Sequence, residues 1–375
     1  MPEVRLPWWA PQFGAEEQAL LRDVLASGFL NDGDVTTRFE AHLAELCGVR
    51  HAVGVTSGTA AIFLALASLE VGPGDEVVVP DVTFIATANA VRLAGATPVL
   101  ADIDPATLTL DPEAFRRAIS PRTKAVIPVH VSGRSGHLPE ILQLAASHGI
   151  QVVEDAAEAF LSKRGGRCLG TFGRLGCLSF SPAKLITTGQ GGAVLTNEDA
   201  LAVRLRELKD QGRPVRGTGG DDVHHAMGYN FKLTNLQAAV GLGQLASLPE
   251  RLSRMRRTYQ AYVEGLQGVD GMRLIGFRLE EGESPQWVDA LSDERDRLID
   301  FLAGRGAECR RFWFPLHTQP PYRQPDEQFP HSTAAAPKAF WLPSSLRMRD
   351  ADVASVCRLV RECFERAPAR AQGMG

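Results

Sequence analysis

An acid and a lysine, Asp155 and Lys184, carry the strongest chemical signal in the sequence. Gln151-Val152-Val153 reads as a buried strand, and Glu154-Asp155 closes it with two carboxylates. Ala156-Ala157-Glu158-Ala159 follows, small enough for something flat to lie close to the backbone. An acid at the carboxyl end of a parallel strand sits where open α/β sheets bind ligands. Lys184 closes Ser179-Phe180-Ser181-Pro182-Ala183-Lys184, ahead of the turn Gly189-Gln190-Gly191-Gly192. An amine partly desolvated among small residues is free to attack carbonyls. Pyridoxal phosphate needs this pair: a lysine for the Schiff base and an acid that keeps the pyridine nitrogen protonated. Alone, each reads more simply as a capping Asp or a surface Lys, so the pair gains meaning only from the rest of the chain.

A second signal is Thr56-Ser57-Gly58-Thr59-Ala60-Ala61, which opens an apolar helix through Leu66. Small hydroxyl residues and a glycine at a helix N-terminus leave N–H groups pointing outward, as a phosphate requires; a plain Ser/Thr cap is the simpler alternative. Phe84 lies just past a strand end and suits stacking on a flat ring or core packing. Gly228-Tyr229-Asn230-Phe231-Lys232 precedes the helix Leu236 to Leu245 and offers a further anion contact. In Arg310-Arg311-Phe312-Trp313-Phe314-Pro315-Leu316-His317, read as an aromatic, basic strand, adjacent arginines face opposite ways. One can meet an acidic ligand while the other meets solvent.

The elements that must position these groups alternate. Strands are expected at His51 to Val55, Glu76 to Val79, Thr97 to Ile103, Ala125 to Val131, Gln151 to Val153 and Gly192 to Thr196. Helices fall between them, including Thr83 to Leu93, Pro112 to Ile119 and Leu138 to His148. That pattern argues a mostly parallel sheet covered on both faces. After about Leu248 the composition shifts to a long arginine-rich helix (Glu250 to Leu266) and a region richer in Trp and Pro. The expected division is residues 1–248, an N-terminal arm with a large domain, and 249–375, a smaller domain. The arm carries Trp8 and Trp9, which suit packing or covering a pocket or partner subunit. Gln211 to Asp222, rich in glycine, is expected to be an exposed loop.

The 375 residues suffice for a large core, and 44% hydrophobic with 22% charged is ordinary for a globular enzyme. A net charge of -4 without a basic block argues against nucleic acid or anionic membrane as partner. No apolar run approaches a membrane span, and Met1 to Arg5 lacks a signal-peptide core, so the expected location is the cytoplasm. Six scattered cysteines without CxxC read as reduced packing thiols, and no metal site is expected. A short Ala/Arg/Gly tail follows Arg366, and its last residues, Ala371 to Gly375, are expected to fray.

With five motifs in order, the chain resembles the DegT/DnrJ/EryC1/StrS family of sugar aminotransferases from Leu25 to its last helix. The motifs are Thr56 to Ala61, Glu154 to Ala159, Ser179 to Lys184, Gly189 to Gly192 and Gly228-Tyr229-Asn230. The resemblance implies an α/β protein of the aspartate-aminotransferase-like fold type I, with a mostly parallel sheet and a smaller C-terminal α+β domain. It implies pyridoxal phosphate, passing through pyridoxamine phosphate, with Lys184 as Schiff-base lysine and proton shuttle. Asp155 would pair with the ring nitrogen, Phe84 would stack on the ring, and Glu158 falls near its 3-hydroxyl. Ser57, Gly58, Thr59 and Ser179 would hold the phosphate. Asn230 would reach the neighbouring subunit's cofactor phosphate, so a homodimer with shared sites is expected. Lys232, Arg310 and Arg311 are candidates for a diphosphate, and His317 for a sugar pocket.

The stretches Lys209 to Gly212 and Gly228 to Ala239, with Glu158, resemble the perosamine-synthase type, which implies C4 of a nucleotide-linked 4-keto-6-deoxyhexose as acceptor, in amino-sugar and O-antigen or lipopolysaccharide biosynthesis; the donor expected is L-glutamate, with glutamine or aspartate as alternatives. A 3-keto sugar, a cyclitol, or a non-catalytic partner subunit on the same scaffold are the alternatives. Gln190, Lys232 and His130-Val131-Ser132-Gly133-Arg134 depart from the usual family residues and leave the sugar pocket open.

Overall fold

The computed structural model describes residues 5–214 and 223–365. The start of the arm, most of the expected 211–222 loop and the tail from residue 366 lie outside these.

Two helices lead, α1 (Ala15–Ser27) and α2 (Asp34–Cys47). Strand and helix then alternate through β1 (His51–Val55), α3 (Gly58–Ser68), β2 (Glu76–Pro80), α4 (Ala86–Leu93) and β3 (Thr97–Ala101). A short hairpin, β4 (Ile103–Asp104) with β5 (Thr109–Leu110), precedes α5 (Pro112–Ala118), β6 (Thr123–Val126), α6 (Leu138–Ser147) and β7 (Gln151–Asp155). A second hairpin, β8 (Lys163–Arg164) with β9 (Arg167–Cys168), leads to β10 (Leu175–Ser179), β11 (Gly192–Thr196), α7 (Asp199–Lys209) and α8 (Asn235–Ala246).

The main sheet has seven strands in the order β1-β11-β10-β7-β6-β2-β3. The pairings from β10 through β7, β6 and β2 to β3 are parallel; β11 runs antiparallel to both its neighbours. Strands covered on both faces should be continuously apolar. β2 and β11 are buried at every position, and α3, with Ile62, Leu64 and Leu66 at 1% exposure or less, fills one face. Register brings three strand ends together. Cys177 pairs with Asp155, Ser179 with Gly192, and Val55 with Gly192, so Asp155, Ser179 and the start of α3 share one edge. Gly176 makes this possible, because a Cβ there would meet the Gly170 carbonyl at 1.8 Å.

A second, antiparallel sheet has the order β12-β13-β15-β14: β12 (Met272–Leu274), β13 (Val288–Ser292), β14 (Arg310–Arg311) and β15 (Ala339–Leu342). The helices α9 (Leu248–Gly265), α10 (Arg295–Ala303) and α12 (Asp350–Glu365) build a core with it around Tyr262, Leu298, Phe340 and Val356; the short α11 (Pro330–Ala335) lies between. The arm packs here: Leu6 pairs with Ala307, and Trp8 sits 5.3 Å from Trp287 and 5.6 Å from Trp341, ring to ring. All six cysteines are free and buried. Among the described residues no helix is long and apolar enough to cross a membrane.

Several expected boundaries move. The strand expected over Thr97 to Ile103 breaks at Asp102, whose carboxylate turns aside to accept the backbone N–H groups of Ile103, His331 and Ser332. The helix expected from Thr83 begins at Ala86. The aromatic strand expected through His317 is only Arg310–Arg311; Phe312 still donates to Ala339, then Pro315 starts a 3-10 turn.

Candidate active site

The shared edge opens into a cleft of about 280 Å³, walled on the large-sheet side by Ser57, Gly58, Thr59, Phe84, Asp155, Glu158, Ser179 and Lys184. Trp287, Trp341, Trp313 and Arg310 close it from the small sheet. Two larger clefts, about 520 and 430 Å³, lie around Gly271 and contain none of these residues.

Asp155 is 5% exposed. Its carboxylate accepts from the Thr87 hydroxyl at 2.8 Å and the Ala157 N–H at 3.1 Å. Burial raises its pKa above the ordinary carboxylate value, opposed by the two hydrogen bonds and the charge of Lys184. Nothing in the sequence marks Thr87 as a site residue; it lies one helical turn after Thr83, whose hydroxyl it meets at 3.1 Å.

Lys184 Nζ lies 3.2 Å from Glu158 Oε1 and 4.9 Å from the centre of the Trp287 ring. The other Glu158 oxygen accepts the Ser132 N–H at 3.0 Å. Burial is again the largest cause raising the Glu158 carboxyl, and Lys184 opposes it most. Ser132 reaches this place at φ +52, and its neighbour Gly133, at φ +100, would put a Cβ 2.1 Å from the Ser284 carbonyl. Beneath it His130 and Glu154 form a buried pair at 2.7 Å, and Arg134 pairs with Asp289 of β13.

Ser57 caps α3, accepting the Ala60 N–H at 3.1 Å. The capping reading holds, and the same helix N-terminus, through Ser57, Gly58 and Thr59, lines the cleft. Gly58 leaves no room for a side chain, since a Cβ would sit 2.9 Å from Ser179 Cβ. Phe84, 54% exposed, stands at the mouth.

Four expected residues lie elsewhere in this chain. His317 is fully buried, its Nδ1 2.6 Å from Asp81 and its ring stacked on Phe329, so it does not line the cleft. Arg311 turns away to Asp296 at 2.9 Å, while Arg310 lines the cleft with its guanidinium 4.7 Å from the Trp8 ring centre. Lys232 pairs with Asp210. Asn230 is exposed and bridges backbone to Asp210, outside the cleft. Trp287 and Trp341, which form the opposite wall, come from a region whose spacing carries no site signal.

The residues present suit pyridoxal phosphate: a buried carboxylate and an amine lining one cleft, with a helix N-terminus whose first residue, Gly58, carries no side chain. The comparisons agree. A model of the DegT/DnrJ/EryC1/StrS aminotransferase family matches residues 11–361. GDP-perosamine synthase of Caulobacter vibrioides is 37% identical over 320 residues, 84% of this chain and 85% of the relative. The aminotransferase TlmJ from Streptoalloteichus hindustanus superposes with a TM-score of 0.90 at 34% identity, over 96% of this chain and 99% of that one. DesI, solved in the presence of its TDP-sugar product, gives 0.89 at 33%, over 98% and 94%. The chain belongs to the DegT/DnrJ/EryC1/StrS aminotransferase family, is of fold type I, and is a pyridoxal-phosphate-dependent aminotransferase.

Proposed function

We propose that the protein moves an amino group from L-glutamate to C4 of a nucleotide-linked 4-keto-6-deoxyhexose. The observation that carries the chemistry is the juxtaposition of buried Asp155 with the Lys184–Glu158 pair at one sheet edge. The sugar is supported by the relatives: one is a GDP-perosamine synthase and another was solved with a TDP-sugar product. They carry different nucleotides, so this reading leaves the nucleotide open.

When bound, pyridoxal phosphate supplies a conjugated cationic ring that takes up the electron pair of a broken C–H bond. Asp155 would pair as an anion with the ring nitrogen and keep its proton there. Ser57, Gly58, Thr59 and Ser179 would hold the phosphate, and Phe84 would stack on the ring. Lys184 Nζ takes a proton from the substrate carbon and returns it, with Glu158 beside it as a fixed anion. Arg310, against the tryptophan wall, meets the anionic part of the sugar nucleotide. Asn230, outside the cleft of its own chain, serves the site of a second copy, which makes a homodimer the working unit. The 248/249 boundary is proposed as the division between the two sheet-bearing parts.

The test is the visible absorbance of bound cofactor. L-glutamate should remove the visible band, and an NDP-4-keto-6-deoxyhexose should restore it, with ping-pong kinetics. Restoration only by a 3-keto sugar or a cyclitol would contradict the C4 assignment, and a band indifferent to glutamate would contradict the donor.

A further inference from the structure

Lys184 is held from the second sheet as well as from its own turn. Gln286, two residues before β13 begins at Val288, is 4% exposed and does not line the cleft. Its side-chain oxygen accepts the Leu185 N–H at 3.1 Å, and its side-chain nitrogen donates to the Ala183 carbonyl at 3.3 Å. These are the backbone groups on either side of Lys184. Only one orientation of the amide satisfies both, since the flipped one would set N–H against N–H and oxygen against oxygen.

The same residue reaches the amine by a second route. The Gln286 backbone N–H donates to the Ser132 carbonyl at 2.8 Å, the Ser132 N–H donates to Glu158 at 3.0 Å, and Glu158 meets Lys184 Nζ at 3.2 Å. The next side chain, Trp287, lays its ring 4.9 Å from that nitrogen. Ser132 is tied back to β13 through its hydroxyl, 2.9 Å from Asp289. Backbone and amine of Lys184 are thus both referred to one buried residue.

We propose that Gln286 is a positioning residue that sets the direction of the Lys184 amine, so that the small sheet controls proton transfer without touching substrate. This rests on the reading of Lys184 as the reactive lysine. A glutamine amide is uncharged and fixed by two opposed hydrogen bonds, so it orients the turn without adding a charge beside Lys184. Gln244 offers a control: it is also buried and accepts the Thr187 N–H at 3.4 Å, in the same segment but away from Lys184.

The experiment compares wild type, Gln286→Met and Gln244→Met. In cofactor-free protein, acylation of Lys184 by acetic anhydride is measured against Lys124 by mass spectrometry. In cofactor-loaded protein, kcat and KM are measured for both substrates. Gln286→Met should change the Lys184 labelling ratio severalfold and lower kcat about tenfold to a hundredfold, the scale of a small misplacement, with KM within about twofold. Gln244→Met should lower thermal stability and leave labelling and kcat near wild type. Unchanged labelling and kcat in Gln286→Met overturn the proposal, as does an equal change in Gln244→Met. If Gln286→Met does not fold, Gln286→Asn takes its place, because its amide stops one methylene short. The same changes in labelling and kcat are then expected of it, and their absence overturns the proposal. Failure of Lys184 as the reactive lysine shows separately, as an active wild-type enzyme whose cofactor is not linked to Lys184.

Discussion

Replacing Thr87 by Val tests what holds Asp155 ionised. The two side chains are nearly isosteric and Thr87 is fully buried, so the change deletes a 2.8 Å hydrogen bond to the carboxylate with little change in packing. A hydrogen bond to a charged group contributes about 1.5–3 kcal/mol. Its loss raises the Asp155 pKa further above the ordinary carboxylate value. Burial already holds that carboxyl above the ordinary value, and Thr87 is first among the groups that oppose it. Cofactor binding that needs the anion should therefore lose its acid limb at a higher pH than in wild type. Tryptophan fluorescence during cofactor titration of cofactor-free protein, at a series of pH values, reads this. The stability effect follows the same sign. A folded carboxyl titrating above its unfolded value costs the fold stability as pH rises between the two. The variant should be less stable than wild type at neutral pH and nearly equal in acid. Thr83→Val, which removes the hydroxyl hydrogen-bonded to Thr87 but leaves the Thr87–Asp155 bond in place, should move both less than Thr87→Val does. An unmoved acid limb in Thr87→Val would refute the reasoning.

Arg134→Met should lower stability by about 3–5 kcal/mol in urea unfolding, because it leaves Asp289 buried without its cation; a loss under about 1 kcal/mol would contradict this. Arg310→Ala should raise KM for the sugar nucleotide about tenfold, whereas Arg311→Ala, losing only a half-exposed pair with Asp296, should change stability by less than about 1 kcal/mol and KM not at all. Gly58→Ala should weaken cofactor binding about tenfold or more, since its Cβ meets Ser179 at 2.9 Å where the phosphate is to be held; equilibrium dialysis checks it.

Asp155, Lys184 and the start of α3 can be read from the chain because each is a local event at a strand end or helix start. The register of β1, β7, β10 and β11 then does the assembly. Sequence reasoning misplaces His317 because its partner, Asp81, is 236 residues away, and nothing beside it in the chain announces that pairing. Arg310 and Arg311 separate as a strand requires, though which one faces the cleft depends on Trp8 and Asp296. Thr87, Ser132 and Gln286 carry no chemistry of their own, so only their contacts with Asp155, Glu158 and the Lys184 turn reveal them. The strand break at Asp102 is illegible for the same reason, its carboxylate serving amides near residue 331.

The central claim is that Lys184 is the lysine to which the cofactor binds covalently. Borohydride reduction of the cofactor-loaded protein fixes that linkage, and peptide mapping by mass spectrometry locates it. The expected result is one modified peptide, carrying the cofactor mass on Lys184, and none in Lys184→Ala. A cofactor adduct on any other lysine, or no adduct in wild type, would contradict the account.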